Sequence, residues 1–229
     1  MRDLFDVTPS LFGQINKLTT WGSDFGEEYS RYNGVLINLT ARTRGGLTFQ
    51  GGLNSGKTVT DVCDVRARLP ELVSLTNVSQ VSPYCHADSG YVTRFTGLGS
   101  YTIPKVDVLV SGTFRSDQGA VIAANYTVTS AVAAQSLGRP LAGAVPNISV
   151  NLIAPGDIYG DRVNEIDFRI AKVLKFGHTR TNVGFDIYNI LNSNPVLTYN
   201  NAFIPNGAWL VPTSVLQSRF VKFSASFDF

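Results

Sequence analysis

The 229-residue sequence predicts an all-β chain of antiparallel, up-and-down strands. Three observations carry that expectation. Charged residues are 16% of the chain, against roughly 25% in an ordinary soluble protein. Gly, Ser, Thr, Asn, Val and Phe abound while Met occurs once, the palette of strands and turns rather than of helices. Apolar and polar residues then alternate with period two in one segment after another, and the links between those segments are by turns short and long.

In chain order, Val35, Ile37, Leu39 and Ala41 share one face, their alternates including Asn38, Thr40 and Arg42. Leu47, Phe49 and Leu53 oppose Thr48, Gln50 and Asn54. Tyr91 to Ile103 is a weaker strand, and Val106, Val108, Val110 and Phe114 form the next apolar row. Ile166, Phe168, Ile170, Leu174 and Phe176 oppose Glu165, Asp167 and Arg169, with Lys172 a misfit on the apolar side. Val183, Phe185 and Ile187 alternate with Asn182, Gly184 and Asp186. Last, Val221, Phe223, Ala225, Phe227 and Phe229 alternate with Lys222, Ser224, Ser226 and Asp228.

These amount to about seven strands of the length that crosses an outer membrane when tilted. The links near 43–46, 104–105 and 177–180 are short, and those near 58–90, 116–164 and 193–217 are long. Short periplasmic turns and long extracellular loops are what successive crossings of one bilayer require. A soluble sandwich has no such requirement. The expected fold is therefore a partial transmembrane β-barrel, with its C-terminus at the periplasmic side and both cysteines outside. Ala120–Val128 and Ile148–Ile153 also look strand-like and would extend the neighbouring hairpin outward. Tyr101, Phe176, Tyr188, Trp209 and Phe229 are candidates for interfacial aromatic girdles.

Other classes fall away. A net charge of +2, with Lys and Arg scattered, leaves no nucleic-acid footprint. The longest apolar stretch, Ala120–Ala124, is far short of a membrane helix. The N-terminus Met1-Arg2-Asp3-Leu4-Phe5-Asp6 has neither a basic segment nor an apolar core, so no signal peptide is expected there. Cys63 and Cys85 suit one disulfide closing a loop in an oxidising compartment; two unrelated reduced thiols are the alternative. Asp61, Asp64, Asp88 and His86 nearby would admit a metal, but zinc wants four ligands in paired spacing, so no metal or other cofactor is expected. With two histidines, neither in a distinctive motif, no catalytic set can be assembled. Sequons at Asn38, Asn77, Asn125 and Asn147 are those chance provides in so Asn- and Ser/Thr-rich a chain.

Gly51-Gly52-Leu53-Asn54-Ser55-Gly56-Lys57-Thr58 fits the phosphate-loop pattern letter for letter. That motif works only between a strand and a helix, where backbone N–H groups surround phosphate. Leu47 to Thr58 is expected instead to be a strand running into a loop, in a chain of hairpins without the βαβ alternation of a nucleotide-binding core.

Asp161-Arg162, Asp167-Phe168-Arg169 with Lys172, the run from Asp186 to Asn194, Trp209 with Pro212, and Arg219 leading to Phe227-Asp228-Phe229 resemble the end of TonB-dependent receptors. Phe95 to Pro104 is similar to the Oar-like branch of that family. The resemblance implies that residues 1–229 are the C-terminal part of a plugged barrel of about two dozen strands, without the plug domain and without the box that the TonB complex pulls. It implies residence in the outer membrane of a Gram-negative bacterium and a part in energy-coupled transport of a bulky solute. The partners implied are outer-membrane lipid, the missing N-terminal strands and plug, the barrel-assembly machinery, and TonB only through the plug. Phe223, Phe227 and Phe229 correspond to the aromatic C-terminal strand that the assembly machinery reads. A small self-sufficient barrel with an adhesion or structural role is the alternative; it needs an even strand count.

Overall fold

The computed structural model describes residues 5–15, 19–69, 80–81, 83–177, 179–205 and 207–228. The fold is all-β. Its strands are β1 (Tyr29–Arg42), β2 (Leu47–Asp61), β3 (Gln80–Val81), β4 (His86–Asp88), β5 (Val92–Ile103), β6 (Val108–Asp117), β7 (Asn125–Thr129), β8 (Asn147–Asn151), β9 (Val163–Phe176), β10 (Thr179–Tyr188), β11 (Val196–Tyr199), β12 (Ala202–Phe203), β13 (Pro212–Val215) and β14 (Phe220–Asp228). Helices α1 (Cys63–Arg68) and α2 (Ser130–Leu137) lie in the connections. No helix among the described residues is long and apolar enough to cross a membrane, which says nothing about crossing by strands.

Seven long strands form one up-and-down antiparallel sheet in the order β1-β2-β5-β6-β9-β10-β14, with β4 pairing alongside β2. The sheet is open: β1 and β14 are its two edges. Its turns use the geometry their residues allow. Thr43 accepts the Leu47 N–H on its side-chain oxygen while Gly46 takes φ +87°. Gly177 takes φ +62° in the two-residue connection from β9 to β10, where a branched side chain would be strained.

The register settles how the strand faces combine. Ile37 pairs with Leu53 and Leu53 with Phe95. Tyr101 pairs with Val110, Val110 with Ile170, Ile170 with Phe185, and Phe185 with Phe223. Directly opposed residues point the same way, so the apolar alternates of all seven strands form one continuous face. Nothing among the described residues covers that face: Val35, Leu39, Phe95, Phe114, Ile170, Val183, Phe223 and Phe227 are all exposed, Phe223 by 77%. The cluster of buried apolar residues lies elsewhere, in Val128, Ala133, Leu141 and Val150 around α2.

Lys172, the sequence misfit, sits on the apolar face opposite Val108 and Val183. It is exposed, and its charge helps hold the Asp107 carboxyl below the usual carboxylate range, after the larger effect of the hydrogen-bonded Lys175. A lysine stem along apolar surface with its head at the sheet's rim is ordinary snorkelling.

The β6–β9 hairpin extends outward as expected for 120–128 and 148–153: past the Asp117–Val163 pair Val121 bridges Tyr159, and β7 then pairs antiparallel with β8. What the sequence did not show is that β12 and β3, from the other two long connections, add to this pair as a four-stranded sheet, β12-β7-β8-β3. α2 closes this sheet because Thr129 caps its first turn and Gly138, at φ +69°, ends it in the left-handed region. Trp209, expected in an interfacial girdle, belongs to this loop cap: its indole N–H donates to the Ala123 carbonyl at 3.0 Å and its ring meets Phe203 edge-on. The physical reason is its indole donor, which finds a buried carbonyl rather than a rim position.

Candidate functional site

The face opposite the apolar one carries the ion pairs between the long strands. Arg94 Nε lies 2.7 Å from Asp117, Arg115 lies 3.6 Å from the same carboxylate, and Arg115 reaches Glu165 at 2.6 Å. Lower on the sheet Arg169 holds Asp186 through two contacts of 2.9 and 3.1 Å. Thr113 donates to Asp167, which also accepts the Asn189 N–H at 2.9 Å. Two of the ion pairs join neighbouring strands at matched register: Arg115 faces Glu165 and Arg169 faces Asp186. The sequence signal was present as charges two residues apart on the polar alternates, but which sign faces which needed the register.

Asn189 and Asn192 belong to the mechanics of this end. Asn189 is 2% exposed and turns at φ +49°. Its amide donates to the carbonyls of Ser193 and Gln217 while its oxygen accepts from Ser193. Asn192 accepts the Arg219 N–H. Together they fasten the exit of β10 to the entry of β14.

Cys63 and Cys85 are joined in a disulfide, Cα atoms 4.8 Å apart. The expected outcome on unreduced folded protein is no titratable thiol, and two free thiols would sink the assignment. Replacing both by Ser should cost the cap about 3 kcal/mol, the loop-closure value for a link of this span, read as earlier release by denaturant. Beside the disulfide, Lys57 donates to Asp88 at 2.9 Å, and Asp61 pairs with His86 at 2.8 Å. Among the described residues no group of three or more His, Cys, Asp and Glu could hold a metal.

The Asp88 carboxyl titrates below the usual range, chiefly through its hydrogen bond from Lys57 and then from the Gly90 N–H. A depressed carboxyl stabilises the fold above its unfolded value and loses that contribution as pH falls through the folded one. Protease resistance of the residues around β4 should therefore be level from neutral pH to about 5 and fall below about 4. A loss that begins near pH 6 would contradict these contacts.

The phosphate-loop match falls wholly within β2, its backbone paired with β1 and β5. Lys57 is on a strand, and α1 starts only at Cys63. Gly56 has a packing explanation: a Cβ there would come within 2.3 Å of the Tyr32 hydroxyl, whose ring crosses the strand. Of the aromatic residues of the last strand, Phe223 and Phe227 stand exposed on the apolar face. Phe229, His178 and Asn77 lie outside the described residues.

Scans against protein-family models, curated proteins and solved structures return no match.

Proposed function

We propose that this chain is the C-terminal wall segment of an outer-membrane barrel of the TonB-dependent receptor type, where it supplies lipid-facing wall and outer loops for energy-coupled passage of a bulky solute. One observation carries the reading: seven strands of 9 to 15 residues place their apolar alternates on a single exposed face and the ion pairs Arg94–Asp117, Arg115–Glu165 and Arg169–Asp186, which join them to one another, on the other. In water that surface would be costly, at roughly 25 cal/mol per Å² of apolar area. In hydrocarbon it is the required surface. A soluble sandwich would cover it with a second sheet, yet the two smaller sheets are both assembled from the connections. All three long connections share one end of the sheet, as outer loops would.

The lipid half of the proposal is tested by quenching. With Trp21 and Trp209 changed to Phe, Ile170→Trp should be quenched by brominated lipid in vesicles and Leu98→Trp, on the other face, should not. Equal quenching, or a protein that stays in solution without lipid, would refute it. The receptor half rests on the sequence resemblance, and it fails if the DNA immediately upstream encodes no plug in frame.

A further inference from the structure

We infer that the loop cap carries a binding site for an uncharged aromatic group that bears a hydroxyl, in the cavity between α2 and the β7–β8 pair. The inference goes beyond the wall reading and does not depend on it, because every residue of the site belongs to the cap or to the segment that docks on it. The cavity holds about 300 Å³ and is lined chiefly by Phe5, Tyr126, Val128, Val132, Leu141 and Ile148. Its size is at the lower end of small-molecule sites, and its character is theirs: apolar walls with a few placed polar groups.

The space follows from the residues of α2. Protein interiors leave few voids larger than a water molecule. Here α2 turns Ala133 and Ser136, neighbours on one side of the helix, toward the cavity, and neither side chain is large enough to fill it. The helix is held at this distance from both ends. Thr129 caps its start and Gly138 its finish, the Ser130 N–H donates to the Pro146 carbonyl, and the Ser130 hydroxyl accepts the Leu141 N–H at 3.0 Å. Val128, Ala133 and Leu141 are buried and form the floor. Phe5, which is exposed, lines the open side.

The polar groups decide what the cavity takes. The Ser136 hydroxyl donates its proton to the Ala133 carbonyl at 3.1 Å, so its oxygen is left to accept. Asp6 adds a carboxylate to the lining, fixed by the Ala142 N–H at 3.0 Å and by Arg139. The Arg139 guanidinium is committed to that carboxylate and to the carbonyls of Asp6, Val7 and Pro140, and no described residue lining the cavity is a cation. An anion therefore meets only acceptors, whereas a hydroxyl brings the donor they lack. The rings of Phe5 and Tyr126 favour an aromatic body, packed offset or edge-on.

The test is protection of a thiol in the whole chain. Because Cys63 and Cys85 are joined, Val132→Cys places one reactive thiol on the cavity wall, and Gln135→Cys places one on α2 outside the cavity. Naphthol should slow maleimide labelling of Val132→Cys saturably and leave Gln135→Cys unchanged. Naphthoate, the same rings with a carboxylate in place of the hydroxyl, should not protect. Adding Ser136→Ala to Val132→Cys should weaken naphthol by about two- to tenfold, the factor that one hydrogen bond supplies. Equal protection by naphthol and naphthoate, protection that never saturates, an affinity unchanged by Ser136→Ala, or no protection at all would each overturn the inference. So would protection that appears only when residues 1–4 are deleted, which would assign the cavity to the chain's own N-terminus. The wall reading stands or falls separately, on lipid quenching at Ile170→Trp.

Discussion

Ile170→Arg is expected to destabilise the lipid-inserted wall by about 2–4 kcal/mol, the cost of a guanidinium near the bilayer midplane on the lipid side of a barrel. Ile170 sits mid-strand on β9, flanked by Val110 and Phe185 on the apolar face. Leu98→Arg is the matched control. Leu98 is equally exposed, but it pairs with Gln50 and Thr113 on the polar face, so its replacement should fall within the roughly 0.5 kcal/mol typical of a solvated surface change. The comparison separates face from hydrophobicity, because both substitutions exchange a large aliphatic group for the same charge at similar depth. Lys172 supplies an internal precedent: a cation is carried on the apolar face only near the rim, where it feels Asp107 in the turn. Urea titration of the inserted protein measures the two changes. A larger loss for Leu98→Arg would mean that lipid lies on the charged side and that the wall has been read inside out.

The strands were legible because their signal is local. A period of two survives in any stretch of chain with one apolar side, and Val221 to Phe227 needed no partner to be read as the strand it is. The weak stretch from Tyr91 to Ile103 was harder because Gly97 and Gly99 fall on its apolar side, opposite Phe114 and Gly112. The loop cap was not legible beyond two strand-like pieces extending one hairpin outward. Its sheet takes β3, β7 with β8, and β12 from three different connections, and no local pattern tells a short strand which distant edge it will join. The ion pairs lie between these cases: the sequence shows charges on the polar alternates, while the pairing of Arg94 with Asp117 and Arg115 with Glu165 follows only from register. Trp209 could be read only as a girdle candidate or an ordinary structural aromatic, since an aromatic near a strand end reads the same whether it faces a headgroup or a neighbouring carbonyl.

In the receptor proposed above, converting Phe223 and Phe227 to Ser is expected to lower outer-membrane insertion by about tenfold or more, the factor that ~1.5–3 kcal/mol for each fully transferred ring implies. Both rings stand on the apolar face of β14, and Phe223 lies 5.1 Å from the Phe185 ring across the strand pair. β14 also has a free edge, since β10 occupies only one side of it. It must find its second partner late, when bare backbone groups are most hazardous, so an assembly factor that recognises the strand would act through these exposed rings. Phe203→Ser is the informative contrast. Phe203 packs against Trp209 and Tyr126 in the loop cap, so its loss should loosen the cap, raising protease cleavage of the outer loops, while leaving insertion near the parent level. Membrane fractionation with surface labelling reads both effects in one experiment. If the β14 variant inserts as well as the parent and the Phe203 variant does not, then the cap, and not the last strand, governs entry into the membrane, and both the proposed orientation and the receptor reading must be given up.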